Sequence, residues 1–152
     1  TTMVGWATGA IAGLATITPA AGFISPGASI LFGALASVLC YFAVLQVRKL
    51  GIDDSLDVFA VHGVGGILGT LLLGLFISSN LGGTGFAEGM TPLGQIGAQA
   101  MGVMVVALWS AVLTAVLALG VGLIAPMRVK KKDEIEGLDI TSHGERGWHL
   151  GD

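Results

Sequence analysis

A histidine inside an apolar stretch is the residue best suited to chemistry in this sequence. His62 lies in the run VHGVGG at residues 61–66, and no Asp, Glu, Lys or Arg shares the block from residue 58 to residue 87. A neutral imidazole offers one hydrogen-bond donor and one acceptor, so it can bind a small polar molecule or relay a proton. An ionisable residue inside a membrane span is a functional candidate. A histidine that only bonds a neighbouring helix is an equally good interpretation from the residues alone.

Two residues just before His62 belong to the same candidate region. Val58 precedes His62 by four residues and therefore shares its face of a helix. Asp57 stands at the start of that helix, where a carboxylate usually caps the N-terminus or interacts with the helix dipole. We expect Asp53 and Asp54 to be solvated loop charges.

Motifs typical of soluble enzymes are missing from the sequence. His143 and His149 have no cysteine partners at the spacing of a zinc site. The chain has neither a glycine-rich phosphate loop after a strand nor a serine nucleophile elbow. The formal net charge of −3 argues against a nucleic-acid partner. We therefore predict a protein that is not an enzyme and that holds no metal or cofactor.

The composition places the chain in a membrane. Its 152 residues are 53% hydrophobic and 11% charged, whereas a soluble domain has about 25% charged residues. Residues 1–47 contain no Asp, Glu, Lys or Arg at all. This distribution leaves too little polar surface to coat a globule in water.

Apolar blocks separated by Gly, Pro and Ser define the helices. A span needs about 20 apolar residues, and period-2 alternation typical of strands is absent. The predicted fold class is therefore all-α, a polytopic membrane helix bundle (residues 1–126) followed by a charged tail (residues 127–152). The predicted helices cover 2–17, 27–47, 58–77 and 93–125. Because Thr1 already lies in apparent membrane helix, we expect the N-terminus to be a truncation.

Basic residues predict the orientation. All seven Lys and Arg lie at 48–49 or 128–146, and the loops at 18–26 and 78–92 have none. Loops rich in Lys and Arg remain in the cytoplasm, so we expect the 48–57 loop and the tail to be cytoplasmic. The basic residues at the start of the tail are also suited to anionic membrane lipid.

Small residues recur at four-residue spacing within the predicted helices. Gly65 and Gly69 form one such row, and further rows are Gly5, Gly9 and Gly13, and Ser29, Gly33 and Ser37. Such rows let membrane helices approach closely. They predict a tightly packed bundle.

Four segments in order resemble the C-terminal part of the bacterial-type ammonium transporter family. They are GLATITPAAG at 13–22, DVFAVHGVGG at 57–66, LGGTGFAEG at 81–89, and the tail motif formed by EGLD at 136–139 with HGE at 143–145. Members of that family have an eleven-helix fold, form homotrimers in the cell membrane and have a cytoplasmic C-terminus. The resemblance implies that this chain corresponds to the last four helices and the tail.

The resemblance also implies a transport role for three residues. His62 matches the second histidine of a pair that lines the family's pore, and Val58 and Ile11 are expected beside the same path. Ammonium, or its analogue methylammonium, would lose its proton on entry, cross as ammonia and regain the proton inside. The first histidine and the aromatic recruitment residues belong to earlier helices that these 152 residues do not include.

The tail resembles the family's regulatory segment, to which a PII-family signalling protein can dock. Asp57 matches an acid near the pore exit that could receive an arginine from this partner. Trp148 stands where the family commonly has a tyrosine. The residues that carry the tail motif are Gly137, Leu138, Asp139, His143, Gly144 and Glu145.

Three other functions remain open at this stage. A Rhesus-like gas channel is an alternative within transport. The protein could instead be an ammonium sensor coupled to a signalling partner. A structural membrane anchor is the third alternative, and it predicts that a change of His62 is tolerated.

Overall fold

A computed structural model describes residues 2–145 of the chain. Its long helices are α1 (Met3–Ile17), α2 (Pro26–Lys49), α3 (Val64–Phe76) and α4 (Pro92–Gly122), and a π-helical turn, Phe59–Gly63, leads directly into α3. Four segments are long and apolar enough to cross a membrane: Met3–Ala20, Pro26–Lys49, Phe59–Phe76 and Pro92–Gly122. The predicted all-α polytopic membrane fold with four spans is therefore confirmed.

The chain separates into two compact units, Thr1–Val106 and Ala107–Asp152. The first contains α1, α2, the π-helical turn, α3 and the beginning of α4. The second contains the rest of α4 and the short helices α5 (Lys131–Glu136) and α6 (Leu138–Thr141).

The ends of α2 show why its sequence forms a membrane-spanning helix. Ser25 Oγ accepts a hydrogen bond from the backbone N–H of Ala28 (3.3 Å), and Pro26 occupies the first turn, where its missing N–H is harmless. Arg48 and Lys49 lie in the last turn, beside the negative end of the helix dipole. The 24 residues of α2 rise about 36 Å, enough to cross a bilayer core.

Helices α1, α2 and α3 pack around two small clusters of buried side chains. One consists of Ala12, Cys40 and Val61. The other consists of Ala20, Phe32 and Leu73. Because lipid is as apolar as these side chains, such helices associate through close packing and interhelical hydrogen bonds rather than through the hydrophobic effect.

Helices α1 and α3 are in close contact. A Cβ atom at Gly65 would lie 2.8 Å from Thr16 Oγ1, and one at Gly69 would overlap the backbone carbonyl of Thr16. The predicted close approach at Gly65 and Gly69 is therefore confirmed. Gly9 differs, because a Cβ there would meet nothing within 4 Å.

Two loops meet at one end of the first unit. The backbone N–H of Thr84 donates to the Phe23 carbonyl (3.0 Å), and the Ser25 hydroxyl donates to the Leu81 carbonyl (3.3 Å). The loops that precede α2 and follow α3 are thus neighbours, at the end of α2 opposite to Arg48.

The π-helical turn begins differently from the sequence-based expectation. Asp54 Oδ1 accepts a hydrogen bond from the N–H of Val58 (2.8 Å), and its Oδ2 accepts one from the N–H of Phe59 (2.9 Å). The expectation that Asp54 is merely a solvated charge was wrong. Of the two roles expected for Asp57, helix cap or partner of the helix dipole, the cap belongs to Asp54 instead. Asp57 contributes its backbone carbonyl, which accepts from the N–H of Val61 (2.9 Å).

The second unit has a short helical tail. Gly137, with φ of +102°, separates α5 from α6, and Arg128 pairs with Glu134 at 3.1 Å. Gly144, at φ +67°, donates its N–H to the Ile140 carbonyl (3.1 Å) and closes α6. Residues 146–152, including Arg146, Trp148 and His149, lie outside the described residues.

Replacement of Gly69 by Ala should destabilise the protein strongly. The new methyl group has to push α1 away from α3, and overpacking of this kind costs about 1–3 kcal/mol or more. We expect a clear fall in the thermal unfolding midpoint of the detergent-solubilised protein. Gly66→Ala is the matched control, because a Cβ at Gly66 would meet nothing within 4 Å. Equal midpoints for the two variants would contradict the packing seen here.

Replacement of Asp54 by Ala should weaken the start of the third span. Loss of a capping side chain costs about 1 kcal/mol, and here two backbone N–H groups lose their acceptors. The same thermal measurement should show a lower midpoint for Asp54→Ala than for Ser55→Ala, the exposed neighbour in the same loop. An unchanged midpoint for Asp54→Ala would mean that the cap is dispensable.

Candidate functional site

His62 lies on the π-helical turn rather than on a regular α-helix. The turn covers Phe59–Gly63 and is closed by the N–H of Val64, which donates to the Phe59 carbonyl five residues earlier. Isolated π-turns are rare and occur frequently at functional sites. In this turn Ala60 and Val61 are buried, and His62 is exposed.

The other two residues predicted to line the path are also exposed rather than buried in the core of the helix bundle. Val58 is 50% exposed and Ile11 is 45% exposed. A π-turn contains more residues than the 3.6 of an α-turn, so Val58 and His62 remain about one turn apart. Exposure is common among the apolar side chains of this chain, Leu108 and Val112 in α4 included. His62 differs from them by its capacity to donate and accept hydrogen bonds.

Polar groups lie beneath the turn, on its buried side. The Cys40 thiol donates to the Val61 carbonyl at 3.9 Å, from α2 to the π-turn. The Thr16 hydroxyl is fully buried, and it has no hydrogen-bond partner within the described part of the chain. Sequence reasoning did not single out either residue, because one polar atom among apolar neighbours has no characteristic spacing.

Asp57 forms an ion pair with Arg48 immediately before the turn. Arg48 Nη2 lies 2.8 Å from Asp57 Oδ2, and the Asp57 side chain is 12% exposed while that of Arg48 is 65% exposed. The second carboxylate oxygen, Oδ1, is buried without a hydrogen-bond partner among the described residues. Sequence reasoning missed this pair, although Arg48 in the last turn of α2 and Asp57 just after the loop were each recognised.

The backbone of Asp57 is also unusual. Its φ of +53° lies in the left-handed region, and Asp57 is the only non-glycine residue with positive φ in the described part of the chain. Asp and Asn tolerate this conformation better than other side chains do. Buried charge, positive φ and an ion pair thus coincide at one residue.

The predicted tail residues lie together within the second unit. Leu138 and Asp139 begin α6, and the N–H of Glu145 donates back to the Asp139 carbonyl at 2.8 Å. The side chains of Leu138, Asp139 and His143 are exposed. The motif is therefore a compact surface feature. Over residues 2–145, no three His, Cys, Asp or Glu side chains are arranged to hold a metal ion.

The chain is similar to known proteins over almost its whole length. Residues 1–148 match the model of the Ammonium Transporter Family. The chain is 46% identical to an ammonium transporter of Aquifex aeolicus over 98% of its length, and 45% identical to a putative ammonium transporter of Methanothermobacter thermautotrophicus over 98%. The chain is also 38% identical to an ammonium transporter of Bacillus subtilis over 97% of its length.

The chain spans only about a third of these relatives, namely 35% of the Aquifex protein and 37% of each of the other two. The family match nevertheless covers almost all of the chain, and the relatives share more than a third of its residues over nearly its whole length. The chain therefore belongs to the ammonium transporter family.

Proposed function

We propose that this chain is the C-terminal part of an ammonium transporter and that His62 lines the path of the substrate. The observation that carries the proposal is an exposed histidine on a π-turn within an apolar span of a family member. Segments outside this chain would complete the path on the exposed side of His62. Homotrimer formation and a cell-membrane location with a cytoplasmic C-terminus belong to the same proposal.

The physical case rests on the cost of moving a charge through hydrocarbon. A bare ammonium ion in a membrane interior is strongly disfavoured, whereas neutral ammonia is not. A path lined by Val58 and Ile11 excludes hydrated cations, and an imidazole provides hydrogen bonds to a molecule that has lost its shell of water. His62 thus favours ammonia over potassium, and we propose that ammonium is deprotonated on entry.

The second unit supports a proposal about regulation. The tail motif is exposed, and its conformation depends on two glycines with positive φ, Gly137 and Gly144. We propose that a PII-family signalling protein docks on it. Asp57 is a weaker candidate than the tail motif for contact with this partner, because Arg48 already binds one oxygen of the Asp57 carboxylate.

Replacement of His62 by Ala should change transport in the intact protein. Without the imidazole the path loses its hydrogen-bond donor and acceptor. We therefore expect methylammonium uptake to fall about tenfold or more, or potassium to begin to compete, since a polar group left without its hydrogen bond in a dry site costs about 1–3 kcal/mol. Uptake of labelled methylammonium by cells, with and without potassium, measures both. His143→Ala in the tail is the control. Unchanged uptake and selectivity in His62→Ala would exclude His62 from the path.

Replacement of Gly144 by Ala should weaken binding of the PII-family partner. A side chain at φ +67° costs about 1 kcal/mol, so the end of α6 should open and the affinity should fall severalfold. Gly122→Ala is the control, since its added Cβ would make only an ordinary contact at 3.8 Å with Met127. Binding of purified partner to the solubilised transporter measures the affinity. Equal affinities for both variants would argue against docking on the tail motif.

A further inference from the structure

We propose that Arg48 is a positioning residue for transport, which neutralises the buried carboxylate of Asp57 so that no unpaired negative charge lies beside the substrate path. This inference rests on the proposed function of His62. It concerns a contact within the chain itself, between the end of α2 and the start of the π-turn.

The position of Asp57 ties its charge to His62. Its backbone carbonyl accepts the N–H of Val61, the residue before His62. Val58, the next residue along, is one of the proposed path residues. Asp57 precedes His62 by five residues, which is between one and two helical turns, and its carboxylate is mostly buried.

A carboxylate in this place needs a permanent partner. Buried charges are screened much less by salt and water than exposed ones. Without Arg48, the Asp57 carboxylate would lose its cationic partner at Oδ2, and Oδ1 already has no hydrogen-bond partner among the described residues. The carboxylate would then be free to attract another cation. Such a site would retain ammonium and would also admit potassium, which a transporter selective for ammonium must avoid.

Arg48 is suited to this task in three ways. Its guanidinium presents a planar, rigid set of donors that matches the geometry of a carboxylate. It contacts Asp57 Oδ2 at 2.8 Å. Its side chain is 65% exposed, so water offsets the cost of its own charge while it reaches the buried oxygen.

Asparagine is the matched replacement for Asp57, because the backbone at this position is left-handed. Asn tolerates positive φ much as Asp does, so Asp57→Asn removes the charge without new backbone strain. Removal of both partners of a buried ion pair is often neutral, whereas removal of one leaves an uncompensated charge. The two single variants and the double variant therefore separate charge compensation from packing.

The experiment compares Arg48→Gln, Asp57→Asn and the double variant in the intact transporter. Methylammonium uptake is measured per transporter in the membrane, with and without potassium, and Lys49→Gln is the control for loss of a positive charge at the same helix end. We expect uptake by Arg48→Gln to fall roughly tenfold and to become sensitive to potassium. Asp57→Asn should be impaired much less than Arg48→Gln, because the Arg48 side chain that it leaves unpaired is 65% exposed to water. The double variant should recover most of the uptake lost in Arg48→Gln and should be insensitive to potassium.

Either of two transport results would overturn the proposal. One is an unchanged rate and potassium response in Arg48→Gln. The other is a double variant as impaired as Arg48→Gln, which would show that Arg48 acts independently of Asp57. If Arg48→Gln does not reach the membrane, Arg48→Met, which keeps an apolar stem, takes its place. If neither Arg48→Gln nor Arg48→Met accumulates in the membrane while the double variant does, the ion pair serves folding alone. That result would also overturn the transport role of Arg48.

The proposed function is tested separately in the same assay. No methylammonium uptake by the unmodified transporter would remove that function and this inference together. Uptake by the unmodified protein that depends on His62, with an unaltered response in Arg48→Gln, would remove only the inference about Arg48.

Discussion

The contact between α1 and α3 is the constraint on which the rest of the first unit depends. The Thr16 hydroxyl lies against Gly65 and the Thr16 backbone carbonyl lies against Gly69, so closely that neither position has room for a side chain. In a bilayer, close packing of this kind replaces the hydrophobic effect as the main source of helix association. It places α3 beside α1, brings Val61 into the cluster with Ala12 and Cys40, and so determines which side of the π-turn is buried.

The orientation of His62 follows from that packing. Because Val61 is held in the cluster, the next residue has to point elsewhere, and His62 is exposed on the outer side of the turn. A π-turn provides this change of direction within a single span, since it inserts an extra residue into the helical repeat. The same packing that stabilises the bundle thus presents the one imidazole of the membrane-spanning segments.

Asp54, Asp57 and Arg48 have separate structural roles at the start of the third span. Asp54 accepts hydrogen bonds from two backbone N–H groups, which satisfies donors that a membrane helix cannot leave unpaired. Asp57 is thereby free to adopt a left-handed backbone and to bind Arg48. The short segment between α2 and the π-turn thus contains the helix cap and the sharp turn, and it binds Arg48 at the end of α2. All of these features are close in sequence to His62, the residue proposed to contact the substrate.

The sequence by itself determined the number of candidate spans, the close approach at Gly65 and Gly69, and the choice of His62 and Val58 as candidates. These follow from hydropathy, small-residue spacing and a lone histidine among apolar residues, which are local patterns that the chain order preserves. It also determined the family, because four motifs occur in order along the chain.

Only the tertiary structure decided which aspartate caps the third span and which basic residue binds Asp57. Asp54 and Asp57 are three residues apart with similar propensities, and local pattern does not distinguish a cap from an ion-pair partner. The distinction depends on where the end of α2 places Arg48 and on a single positive φ angle. Both are set by the packing of helices that are separated along the chain, so sequence spacing carries no signal for them.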